Sequence, residues 1–311
     1  MKVVFMGTPQ AAVPSLARLL EDGHDIVAVY TQPDRPSGRG NKITFSPVKI
    51  FAEGHGLPFY QPTKIKAEET QEVFRSHEAD VAVVVAYGRI LPAAYLTAFP
   101  KGAVNVHFSL LPKLRGAAPV NWAIVNGDTV TGVTTMRMDE GLDTGAILLQ
   151  RETQIGSDET SIELMDRLSI HGAELLSETL AGFDQITPTV QNNDLATLAP
   201  IMRREDGLID WNKSAGSISD QIRGFQPFPG SYSIYQGGKL AIWKAVVAVE
   251  LEDRSFIPGT IFDVHGDTLI IGCGAGSALS IEELQPEGKR RMSVRDFNNG
   301  IKPKVGSHLG T

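Results

Sequence analysis

One cysteine, Cys273, serves 311 residues, so neither an internal disulfide nor a zinc site built on cysteines can form. No C-x-x-C and no H-E-x-x-H occurs. Long apolar runs are missing too: the longest candidate, VAVVVA at 81–86, is closed off by Asp80 and Tyr87, far short of a membrane span. The opening MKVVFMGTP holds one basic residue and breaks at Gly7 and Pro9; it reads as a first strand and not as a signal peptide. A cytoplasmic protein is therefore expected. The turn after that strand is Gly7-Thr8-Pro9, without the second and third glycines of G-x-G-x-x-G and with a proline where an N–H donor is needed. That removes the dinucleotide fingerprint and with it an ordinary nicotinamide dehydrogenase. Ser109 does not sit in a G-x-S-x-G elbow, so a serine hydrolase is not expected.

Excess positive charge is also absent, since the formal net charge is −7. The distribution is uneven. Residues 1–199 hold 16 Lys and Arg against 23 Asp and Glu, which accounts for the whole −7. Two local stretches are basic all the same: 33–49, with Arg35, Arg39, Lys42 and Lys49, and 285–304, with Lys289, Arg290, Arg291, Arg295, Lys302 and Lys304. Local potential decides where a phosphate backbone docks, although a basic run is ordinarily just a solvated face.

With 42% hydrophobic residues the chain can bury a sizeable core, and its length suggests two domains. Lys2–Met6, a helical pattern over Ala12–Leu20 and an apolar run at Ile26–Thr31 form a β-α-β unit of parallel-crossover length. Residues 32–47 read as a long loop. Ser46-Pro47 reads as the cap and first residue of a helix to about Glu53. The run from Asp80 to Ala86 is a central strand buried on both faces. Thr131–Met138 and Ala146–Thr153 are strands joined by DEGLDTG, an antiparallel excursion, and a long helix over 160–181 is capped by Ser157 or Asp158. The polar tract DQITPTVQNNDLATLAP at 184–200 reads as a linker. Beyond a short helix at Ser214–Arg223, five short strands predict a small β-barrel of the oligonucleotide-binding (OB) kind, and a last helix, Val294–Asn299, ends at Gly300. The expected division is 1–186, a linker at 187–204, and 205–311. The expected fold class is α/β: a Rossmann-like domain with a mostly parallel sheet, then the OB-like barrel.

The chemistry concentrates in NVHFSLLPKLRG, residues 105–116. If Gly102–His107 is a strand, its period of two puts Asn105 and His107 on one face. An Asn-x-His pair alone is usually a buried pair satisfied by backbone. What lifts this one is DEGLDTG at 139–145, which offers Asp143 in a Gly-bounded turn. A metal site needs more ligands than His107 and Asp143. An amide, an imidazole and a carboxylate without a nucleophile suit stabilisation of a developing oxyanion. The amide and a protonated imidazole donate to it, and the carboxylate keeps the imidazolium charged. The nucleophile then comes from a substrate, such as an amine attacking an acyl or formyl carbon.

NVHFSLLPKLRGAAP followed by DEGLDTG resembles the folate-dependent formyltransferase family. TQPDRPSGRG, SPVKIFAEGHGLPFYQP, VVVAYGRILP, IDWNKSA and IRGFQPFPGSY extend the resemblance over nearly the whole chain. They are similar to the branch that formylates initiator methionyl-tRNA. The resemblance implies a Rossmann-like first domain and an OB-like second one. It implies a catalytic set of Asn105, His107 and Asp143, and folate binding by Ser109, Leu110, Leu111 and Pro112. Arg39 and Lys42 become contacts to tRNA. The implied formyl donor is 10-formyltetrahydrofolate, with no metal, and the enzyme is expected to be a monomer. Phe108 departs from the family's usual small residue, and it either narrows the pocket mouth or packs away from it. Formylation of an amino sugar or a nucleotide, formyl-folate hydrolysis and non-catalytic RNA binding are the rival readings.

Overall fold

The computed structural model describes residues 1–37, 42–248 and 256–310. The chain divides into two compact units. One comprises Met1–Pro119, Val130–Gln154 and Met165–Ala199, the other Val120–Thr129, Ile155–Leu164 and Pro200–Thr311.

The elements of the first stretch are β1 (Lys2–Gly7), α1 (Val13–Glu21), β2 (Asp25–Tyr30), β3 (Arg35–Ser37), β4 (Lys42–Thr44), α2 (Pro47–Gly54), β5 (Phe59–Tyr60), α3 (Glu68–Arg75), β6 (Val81–Val85), α4 (Ala93–Leu96), β7 (Ala103–His107), β8 (Arg115–Gly116), α5 (Pro119–Val125), β9 (Val130–Arg137), β10 (Ile147–Gln154), α6 (Ser161–Ala181) and β11 (Leu198–Ala199). Seven strands form one sheet in the order β10-β9-β7-β6-β1-β2-β5. The five from β7 to β5 run parallel, and β9 and β10 are antiparallel additions at one edge. This is the mostly parallel sheet expected. Every residue of β6 is buried, as a strand covered on both faces requires.

The two faces of β7 have different covers, which fixes the site. Val106 and Phe108 point toward α6: a Cβ added at Gly172 would come within 2.9 Å of Val106 and 3.3 Å of Phe108. Phe108 is thus packed against a helix, and of the two readings of this departure it takes the one away from the pocket. Ala103 belongs to the opposite face. There it packs with Phe74 of α3, Tyr95 and Leu96 of α4, and Phe99. Asn105 and His107 follow at period two on that second face, beyond the cover of α4.

Local signals account for most helix starts. Ser46 accepts from the Lys49 backbone N–H at 3.1 Å and caps α2. The start of α6 differs from expectation. Its cap is Thr160, whose Oγ1 faces the Glu163 N–H at 3.4 Å while the Glu163 carboxylate accepts from the Thr160 N–H at 2.9 Å. Only Thr160 has an acidic residue three positions on that can return the bond. The loop at 32–47 contains a short antiparallel ladder, with Arg35 paired to Thr44; three residues per arm are too few to show as periodicity. The tract expected as a linker is tied into the first unit. Thr189 and Ile147 exchange backbone bonds at 2.8 Å, and β11 pairs with β8.

The rest of the second unit contains α7 (Ala215–Gly224), β12 (Ser231–Tyr235), β13 (Gly238–Val247), β14 (Ile261–His265), β15 (Thr268–Gly272), β16 (Ala278–Pro286), β17 (Met292–Ser293) and α8 (Val294–Ile301). Its sheet is antiparallel, in the order β12-β13-β16-β15-β14, with β17 beside β16. The expected form is a small OB-like barrel; the strand pairing shows its antiparallel sheet, packed with two helices. Its core joins Ile218 and Ile222 of α7, Leu240, Ile271 and Leu279 of the sheet, and Phe297 of α8. Ser214 and Ser293 cap the two helices. Gly300 does not end α8; the helix continues through it to Ile301 and closes on Lys302 at φ 53°.

Candidate active site

Asn105 and His107 lie on one face of β7 and are only 9% and 6% exposed. Among the described residues no hydrogen bond engages the Asn105 side chain. A nearly buried carboxamide left without a protein partner is uncommon, and it has two N–H donors to offer an incoming oxygen.

His107 is held from behind. Its Nε2 lies 3.0 Å from the Leu114 carbonyl. A carbonyl only accepts, so Nε2 carries the hydrogen, and the neutral ring has its free lone pair on Nδ1. Nδ1 stands 3.7 Å from Oδ2 of Asp143. Burial pushes the His107 pKa below its ordinary 6.5, with the Asp143 charge and the Leu114 carbonyl acting in the opposite direction. That direction favours the neutral ring, whereas the oxyanion role read from the sequence uses the protonated one. A carboxylate at 3.7 Å does not offset the cost of burying a cation.

Asp143 comes from the turn between β9 and β10, not from the exit of a parallel strand. Arg137, at the end of β9, is level with Val104 near the start of β7. The turn must therefore fold back over the sheet face to bring its carboxylate beside His107. Several contacts fix it. The Asp139 carboxylate accepts from the Gly141 N–H at 3.0 Å and the Thr144 hydroxyl at 2.7 Å. At Gly145 a side chain would strike the Arg137 carbonyl at 1.7 Å, so the position admits only glycine. Oδ2 of Asp143 accepts from the Gly116 backbone N–H at 2.8 Å. Gly116 itself has φ +123° and sits against the Ala199 carbonyl, a conformation and a proximity that favour glycine.

The 109–112 segment is only partly open. Ser109 is fully buried. Its hydroxyl donates to the Lys113 carbonyl at 2.7 Å, and its carbonyl accepts from Thr134 Oγ1 at 2.6 Å. Leu111 is buried, and its backbone is held by Thr134 and Gln150. Leu110 and Pro112 are half-buried. A cavity of about 480 Å³ lined by Ala93, Leu96, Thr97 and Met138–Gly141 borders the turn that carries Asp143. Arg39 lies outside the described residues; Lys42 is in β4, and its side chain lies outside them too. Lys49, counted above among the basic residues of the loop, is consumed internally. It is 7% exposed, pairs with Asp34 at 2.5 Å, and lies over the rings of Phe45 and Phe59.

Sequence reasoning missed Arg115, Gly116 and Gln191. Arg115 and Gln191 are each 6% exposed and are bonded to one another. Gln191 stands in the tract read as a linker, where nothing in the local pattern marks it. Cys273 is buried in the second unit, and burial raises its thiol pKa to about 12. No three His, Cys, Asp or Glu side chains converge among the described residues.

The sequence profile of formyl transferases matches residues 1–180, and that of the formyl transferase C-terminal domain matches 201–302. The chain belongs to the formyl transferase family. As a formyltransferase it is 48% identical over 312 residues to the methionyl-tRNA formyltransferase of Geobacter metallireducens, covering 100% of this chain and 99% of that one. With the methionyl-tRNA formyltransferase of Acidobacterium capsulatum it shares 50% over 303 residues, 96% of each chain. Among solved structures, the N-formyltransferase of Helicobacter canadensis, in complex with folinic acid and dTDP-3-aminofucose, aligns with TM-score 0.66 at 21% identity. The alignment covers 92% of this chain and 99% of that one. HypX of Aquifex aeolicus, in complex with tetrahydrofolic acid, aligns with TM-score 0.66 at 16% identity over 98% of this formyltransferase and 48% of that protein. At such identities the likeness speaks for the fold alone. No helix among the described residues is long and apolar enough to cross a membrane.

Proposed function

We propose that this formyltransferase moves the formyl group of 10-formyltetrahydrofolate onto the free amino group of methionine on initiator methionyl-tRNA. The observation that carries the chemistry is the placement of Asn105, whose carboxamide has no hydrogen-bond partner among the described residues, on the same buried face of β7 as His107, with the Asp143 carboxylate 3.7 Å from the His107 ring. The full-length identity to methionyl-tRNA formyltransferases supports the choice of acceptor. The formyl transferase match over residues 1–180 supports folate binding by the 109–112 loop, of which Leu110 and Pro112 are the more accessible members.

Asn105 donates to the formyl oxygen and strengthens that bond as the oxygen becomes an oxyanion. The methionine amine forms the new C–N bond. Nδ1 of His107 takes the proton that this nitrogen loses. The resulting imidazolium lies 3.7 Å from Asp143, whose negative charge stabilises it at the moment it exists. Collapse breaks the bond from the carbon to the folate nitrogen, and His107 returns its proton to that nitrogen. The ring is neutral again. Arg39 and Lys42 hold tRNA phosphates through their charge.

The direct test is incubation of the protein with 10-formyltetrahydrofolate and charged initiator tRNA, with detection of formylmethionine after mild deacylation. Formyl release that proceeds equally well without an amine acceptor, or with amino sugars in its place, would overturn the assignment.

A further inference from the structure

We infer that Gln191 is a positioning residue, which fixes the turn carrying Asp143 and thereby sets the distance between Asp143 and His107. The inference rests on the proposed role of Asp143. Its basis is a carboxamide used on both sides. The Gln191 amino group donates to the Asp143 carbonyl at 2.8 Å and to the Gly145 carbonyl at 2.7 Å. Its Oε1 accepts from Arg115 Nε at 3.1 Å and Nη2 at 2.7 Å. The guanidinium has no acceptor, so it dictates which end of the amide faces it, and the two N–H donors must face the turn. Asn193 adds a further acceptor to Arg115 at 2.9 Å.

Asp143 needs such support. Its φ is +53°, a left-handed conformation that residues other than glycine adopt at a cost. It is held at two points: the carbonyl by Gln191, and the carboxylate by the N–H of Gly116, the residue next to Arg115. Both holds lead to β8, which lies just past the loop that seats His107 on the Leu114 carbonyl. A shift of the Asp143 turn is therefore a shift relative to His107. The neighbour Val190 is 85% exposed and provides a control from the same segment.

Gln191→Glu separates positioning from mere stability. The carboxylate keeps its bonds to Arg115, now strengthened by charge, but presents an acceptor to two carbonyls and loses both bonds to the turn. The experiment measures kcat, KM for the charged tRNA and the melting temperature. It compares the parent, Gln191→Glu, Asp143→Asn, the double variant and Val190→Ala. The expected result is a fall in kcat of roughly tenfold to a hundredfold for Gln191→Glu, the scale of a misplaced group, with KM nearly unchanged and a melting temperature lowered by the two lost bonds but still well above the assay temperature. No further loss is expected when the same substitution is made in Asp143→Asn. Val190→Ala should match the parent. An unchanged kcat in Gln191→Glu overturns the inference, and so does an equal factor lost with Asp143 already replaced. Normal turnover in Asp143→Asn alone would instead remove the reading of the site on which the inference stands.

Discussion

Nδ1 of His107 and Oδ2 of Asp143 stand 3.7 Å apart, close enough to sense each other's charge and too far to share a good hydrogen bond. The separation suits a partner that matters when the ring is charged and is otherwise occupied with the Gly116 N–H.

Removing the donors tests the oxyanion role. Asn105→Ala should lower kcat by about 10²–10³, the usual worth of one such donor, with tRNA affinity unchanged in a filter-binding assay. His107→Ala should cost at least as much. Turnover within a few-fold of the parent, measured as formylmethionine formed per second, would contradict the assignment.

A neutral base gives a pH–rate profile with an acid limb. Activity should rise with pH through a value below 6.5, because burial lowers the His107 pKa. In Asp143→Asn the opposing charge is gone, so the limb should move to still lower pH while the plateau falls. A limb that moves upward would reverse the sign of the interaction and refute it.

The same burial has a consequence for folding. The unfolded chain binds a proton at His107 near pH 6.5, whereas the folded chain binds it only at lower pH. The unfolded state thus holds more protons below 6.5, and stability contributed by the neutral ring is present above 6.5 and lost as pH falls toward the folded value. Urea titrations of His107→Gln between pH 7 and pH 5 should show a shallower loss than the parent. Parallel curves would mean that the ring is not buried neutral.

Lys49 should matter for stability and not for RNA. Lys49→Met leaves Asp34 without its cation, and the expected loss is about 1–3 kcal/mol in denaturant midpoints. The hydrogen bond from Lys49 is the largest cause that holds the Asp34 pKa below 3.8. The pair's contribution is therefore present above 3.8 and lost as pH falls through the lowered value. The variant should keep the parent's salt dependence of tRNA binding. A flatter slope would place Lys49 at the phosphates after all.

Arg39→Ala, by contrast, should weaken tRNA binding and reduce the slope of log K against log salt by about 1. An unchanged slope would take Arg39 out of the interface.

Strand period and turn chemistry made much of the site legible in advance. Asn105 and His107 share a face because β7 is a strand, and DEGLDTG turns because Gly141 and Gly145 permit it. Family resemblance supplied the acceptor and the donor, which no spacing could reveal. Two things were hidden. The protonation of His107 depends on how deeply β7 is covered, a tertiary quantity. Gln191 is bonded to Asp143 across 48 residues of sequence, and a polar tract of low hydrophobicity looks the same whether it dangles or is bonded in place. Thr160 was missed for a smaller reason: Ser157 and Asp158 are equally good caps by type, and only the carboxylate of Glu163 decides among them.

The bond from Nε2 of His107 to the Leu114 carbonyl leaves the ring with a single usable nitrogen. An electrophile that alkylates histidines should therefore mark this residue at Nδ1 alone, and a regiochemical assay of the adduct by carbon–nitrogen coupling would read the tautomer without any substrate. Isotopic labelling of that one ring would turn a static hydrogen bond into a spectroscopic reporter of the working state.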